Sequence, residues 1–95
     1  MKTHETIVPA VVLPPGDTIR EELQARGWSQ RVFASRIGRP VQAVNEIIRG
    51  RRRITAETAL ALGEVFGTSA ELWMGLEGRY RLHLARQNRR RRMPA

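Results

Sequence analysis

Glycines at positions 27, 38, 50 and 67 divide this chain into segments in which apolar residues recur every three or four positions, the period of one helix face. Strand-type alternation is nearly absent. "LPPGD" leads into a first helix, Pro15 to Arg26, with Asp17, Glu21 and Glu22 early, where the helix dipole favours acids. Ile19 and Leu23 set its buried face and Gly27 stops it. Ser29 is a suitable N-cap for a second helix ending near Ile37, with Phe33, Ala34 and Ile37 on one side. Trp28, just before that cap, suits a hydrophobic staple against Phe33 or Val32. In "GRP", Gly38 takes the left-handed backbone that a tight turn needs, and Pro40 belongs at a helix start.

A third helix is expected over about Val41 to Arg49, burying Val44, Ile47 and Ile48 and ending at Gly50. Thr55 caps a fourth that reaches Phe66, with Ala59, Leu62, Gly63 and Phe66 inward, and Gly67 closes it. Thr68 or Ser69 caps a fifth, which carries Leu72, Trp73, Leu76, Tyr80 and Leu84 at helical spacing as far as about Arg86. The expected fold is all-α: five short helices in one compact domain over 15–86, an extended arm over 1–14 and a basic tail over 87–95.

Net charge is +8, and its placement says more than its size. Residues 1–27 and 54–88 each balance to −1, whereas 28–53 carry +6 and 89–95 add +4. Charge concentrated in this way points to a polyanionic partner, nucleic acid before an anionic membrane. Sixteen of the seventeen basic residues are arginine, a bias that genomic base composition also explains. The chain has no cysteine, so disulfides, thiolate metal sites and thiol nucleophiles are excluded. His4 and His83 lack metal-ligand spacing. No paired carboxylates, phosphate-cradling glycine loop or serine triad stands out, so neither catalysis nor a cofactor is expected. The apolar run Ile7 to Leu13 is too short to span a bilayer and lacks the features of a secretory signal, which favours a cytoplasmic protein.

Two short helices joined by a three- or four-residue turn with one glycine form helix-turn-helix geometry. Ala34 lets the pair approach, and Val44 and Ile47 pin the second helix to the bundle. Val41, Gln42, Asn45 and Arg49 then face outward, with Glu46 beside them. Gln and Asn bind adenine through two hydrogen bonds, and Val41 suits a thymine methyl. Arg39, Arg49, Arg51, Arg52 and Arg53 are placed to hold phosphates, fixing register without reading sequence. On this reading Asn45→Ala weakens operator binding selectively and Arg52→Ala weakens binding to all DNA alike. The bland alternative is a helical hairpin with a hydrated outer face. Against it stand the turn spacing, the amide-bearing face and the arginines that follow.

The segments "PPGDTIREEL", "SQRVFASRIG" and "VNEIIRGRRRITAETALALGEVFGTSAELWMGLEGRYRL" resemble the lambda-repressor-like (XRE) helix-turn-helix domains, and within them the HigA-type antitoxins, also called VapI-type antidote proteins. The resemblance covers Pro15 to about Leu82. It implies a homodimer that represses its own operon at a palindromic, double-stranded operator. It also implies binding and neutralisation of a small ribosome-dependent, mRNA-cleaving toxin of the HigB or RelE type, encoded beside it. Carried over by position, Gln30 braces the recognition helix and a phosphate, and Val41, Gln42 and Asn45 match the base-facing positions. The arm before Pro15 and the Arg89–Arg92 tail lie outside the shared core.

Trp73, Leu76, Tyr80 and Leu84 are candidates for the dimer or toxin interface, with ordinary core packing as the competing role, favoured for Trp73. Gly75 and Gly78 weaken the fifth helix by about 1 kcal/mol each relative to alanine. Close packing against a partner helix or a bend would account for them. The tail is either an added phosphate contact or a solvated end. A stand-alone regulator without a toxin is the first functional alternative. A protein- or RNA-binding module with a basic surface is the second.

Overall fold

Ser29, Thr55 and Ser69 each accept a hydrogen bond from a backbone N–H three residues further on: Val32 at 3.1 Å, Thr58 at 3.2 Å and Leu72 at 3.1 Å. These bonds satisfy amides that a helix start otherwise leaves unpaired. Helices α1 (Pro15–Arg26), α2 (Gln30–Ile37), α3 (Val41–Ile48), α4 (Ala56–Phe66) and α5 (Ala70–Arg92) follow. They belong to a computed structural model of the chain that describes residues 12–92. No strand occurs among the described residues. The expected arm falls almost wholly outside that span.

The core is built from the stripes expected for α1 to α4. Ile19, Leu23, Phe33, Ala34, Ile37, Val44, Ile47, Ile48, Ala59, Leu62 and Phe66 are all buried, together with Ile54 from the loop before α4. Phe66 is the hub of the aromatic packing. Its ring centroid lies 5.3 Å from Phe33, 5.8 Å from Trp73 and 6.2 Å from Trp28. Arg26 fastens the ends of α1 and α4 there: its Nη2 donates to the Phe66 carbonyl oxygen at 3.2 Å, and its guanidinium sits 4.8 Å from the ring centroid. Trp28 stacks on Phe66, on another helix. Val32 stays exposed.

Helix α5 departs most from expectation. It continues through Arg92, six residues past the expected end near Arg86. Residues 79–92 contain no glycine or proline, and cations in a last turn are favoured by the helix dipole. Its inward spine is Trp73 and Glu77, with Leu76, Tyr80 and Leu84 half-buried beside it. Leu72 is exposed instead. Glu77, only 6% exposed, is held by Arg81 one turn on, whose Nε donates to Oε2 at 2.5 Å. Pairing of this kind is what lets a carboxylate occupy a buried position.

Candidate nucleic-acid interface

Helices α2 and α3 are joined by Gly38, Arg39 and Pro40 alone. Gly38 adopts φ +67°, so its own amide reaches the Ser35 carbonyl (3.3 Å) and the Arg39 amide reaches that of Ala34 (3.0 Å). The chain leaves α2 and turns sharply into α3, a paired-hydrogen-bond stop that glycine makes at no steric cost. Ala34 is buried at the junction, as the small side chain requires.

The C-terminal end of α3 is secured twice. The Arg51 and Arg52 amides both donate to the Glu46 carbonyl oxygen, at 2.8 and 3.3 Å, and the Gly50 amide donates to that of Ile47 at 3.0 Å. Ile48 and Ile54 are buried on either side of the arginine loop. The loop is thus anchored at both ends while Arg49, Arg51, Arg52 and Arg53 stay exposed. A Cβ added to Gly50 would lie 3.7 Å from the Tyr80 hydroxyl, which brings α5 against the same loop.

The residues singled out from sequence fall into three groups. Val41 and Gln42 are exposed in the first turn of α3. Asn45 is half-buried, and its Nδ2 donates to Gln30 Oε1 at 3.2 Å, joining the start of α2 to the middle of α3. Gln30 is thereby bonded directly to α3. Arg52 differs from the other arginines: Nε and Nη2 donate to Glu46 Oε1 at 3.0 and 2.7 Å. Its guanidinium is engaged within the protein, while Arg39, Arg49, Arg51 and Arg53 form no ion pair among the described residues.

On α5, Trp73 is 1% exposed and its indole N–H donates to Thr68 Oγ1 at 2.8 Å. It is core, so of the four interface candidates it offers a partner no surface. Leu76, Tyr80 and Leu84 keep part of theirs. Sequence reasoning passed over the pairing of Glu46 with Arg52 and the approach of the Tyr80 hydroxyl to Gly50. Neither obeys helical spacing, and no local signal reveals them.

Two helices, a three-residue turn and a basic loop pinned behind the second helix define a helix-turn-helix protein. The chain belongs to the helix-turn-helix family, whose pattern matches residues 19–73. Over 76 residues it is 38% identical to virulence-associated protein I of Dichelobacter nodosus, covering 79% of this chain and 70% of that one. Its structure is similar to that of antitoxin HigA from Pseudomonas aeruginosa, solved with the higBA promoter, with a TM-score of 0.75 and 36% identity. That match covers 79% of this chain and 83% of the other. A similar likeness, TM-score 0.75 and 30% identity, links it to an addiction module antidote protein of the HigA family from Coxiella burnetii. There 88% of this chain and 97% of the other are covered. No described helix is long and apolar enough to cross a membrane.

Proposed function

We propose that this protein is the antitoxin of a type II toxin–antitoxin module. It acts as a dimeric repressor that binds its own operator and also captures an mRNA-cleaving toxin of the HigB or RelE type. The observation that carries the DNA-binding part is the setting of α3: Val41 and Gln42 are exposed in its first turn, with Arg39 just before the helix and Arg49, Arg51 and Arg53 at its end, all four arginines in no ion pair among the described residues. Amides suit base edges and guanidiniums suit phosphates, so one surface both positions and reads. In a dimer, two such helices enter successive major grooves about 34 Å apart. The likeness to an antitoxin solved with its promoter supports the same reading.

Dimerisation is assigned to α5. Apart from its own helical turn, no described residue lies within 4 Å of a Cβ added to Gly78, and the atoms nearest to one added to Gly75 belong to the Arg79 side chain. Leu72 and Leu82 are exposed on the same helix. Small and apolar residues open on this helix suit close approach by a second one, and the exposed parts of Leu76, Tyr80 and Leu84 remain for the toxin.

Co-expression with the product of the adjacent gene tests the whole proposal. Restored growth, co-purification of the two proteins and repression of a promoter reporter are expected. Reporter repression without rescue or co-purification would make the protein a stand-alone regulator.

A further inference from the structure

Gln42, Glu46 and Arg49 stand four and three residues apart, a spacing that stacks them on one side of the helix axis. Val44, Ile47 and Ile48 are buried on the other side. A carboxylate at the middle of that outer face is unfavourable if the surface does no more than grip phosphate, because like charges repel. Its surroundings give it a different use.

The two bonds from Arg52 both end on Glu46 Oε1. Oε2 has no hydrogen-bond partner among the described residues, and the side chain is 35% exposed. The Glu46 carbonyl is also tied to the Arg51 and Arg52 amides, so backbone and side chain are fixed by one loop. The result is an oriented carboxylate, partly neutralised, with one acceptor oxygen in reserve. In the major groove such a group selects a base with an exocyclic amino donor. Cytosine offers N4–H₂. Adenine offers N6–H₂ beside the acceptor N7, which a carboxylate cannot satisfy because it has no proton to give.

Resting on the DNA-binding reading above, we propose that Glu46 reads a cytosine amino group in each half-site and that Arg52 is the residue that positions it. The full chain is first used to select duplexes from a pool with a randomised central region. Each base pair of the enriched site is then replaced in turn, and affinities of the wild type, Glu46→Ala, Glu46→Gln and Arg52→Ala are measured by fluorescence anisotropy, with thermal melts to confirm folding. The wild type should lose roughly five- to 150-fold when one symmetry-related C·G pair is changed. Glu46→Ala should abolish that preference and leave the others standing. Glu46→Gln should shift it towards adenine, since glutamine can both accept from N6 and donate to N7. Arg52→Ala should blunt the preference at that same pair. A Glu46→Ala protein that keeps the wild-type base profile while binding every duplex more tightly would reduce Glu46 to a counter-ion and overturn the assignment. A wild type that enriches no duplex overturns the DNA-binding reading itself, and the assignment with it.

Discussion

Asn45 and Gln30, fifteen residues apart, share a hydrogen bond of 3.2 Å from Nδ2 to Oε1. One donor of the Asn45 amide is thereby committed to α2, and the orientation of both amides is set before any ligand arrives. Groups held in place lose less freedom on binding than free side chains do.

The pair should therefore act as a unit. Asn45→Ala is expected to weaken binding to the operator more than to random duplex. A double-mutant cycle with Gln30→Ala should give a coupling energy of about 0.5–1.5 kcal/mol in operator affinity. Additive losses would mean that the two side chains contribute separately.

Arg53 is exposed and in no ion pair among the described residues, so its role is read from salt dependence. Each phosphate contact contributes about 0.9 to the slope of log affinity against log salt. Arg53→Ala should flatten that slope by about 1.8 per dimer, equally on operator and random duplexes. An unchanged slope would remove Arg53 from the phosphate contacts.

Gly16 opens α1 against the end of α3. A Cβ there would stand 1.9 Å from the Ile48 carbonyl oxygen, a backbone atom that cannot swing aside. Gly16→Ala should cost about 1–3 kcal/mol, as overpacking does. In a domain this small that lowers the melting temperature by roughly 4–24 °C. Melting at the wild-type temperature would contradict the close approach.

Gly78 presents the opposite case, with no described residue outside its own helical turn within 4 Å of an added Cβ. Gly78→Leu should leave the fold intact and raise helix stability by up to about 1 kcal/mol. Analytical ultracentrifugation should nonetheless show a shift from dimer to monomer. An undiminished dimer would place the contact on another surface.

Local signals made much of this fold legible. The glycine stops, the hydroxyl caps and the three-to-four spacing placed α1 to α4 within a residue or so, because helix ends are written in neighbouring residues. The end of α5 was not legible. A run of arginines reads as a solvated tail, yet nothing in it breaks a helix. The stacking of Trp28 on Phe66, 38 residues away, has no local signal, since aromatic packing follows tertiary geometry. At the candidate interface, composition singles out residues 28–53, but the division of labour within that segment is hidden. Seven arginines look alike in sequence, and only the fold shows that Arg52 is bonded to Glu46 while Arg53 is not. Glu77 was hidden for a related reason: an acid is expected outside until its partner, Arg81, is seen.

Binding of the α3 face and its arginine loop to the protein's own promoter is the central claim. The decisive measurement titrates pure protein against promoter duplex, a scrambled duplex and an RNA of equal length over a salt series. The promoter should bind most tightly. With four arginines in no ion pair among the described residues, doubled in the proposed dimer, its affinity should fall on the order of 10³-fold or more between about 50 and 200 mM salt. Equal affinity for promoter and scrambled duplex, or preference for the RNA, would contradict it.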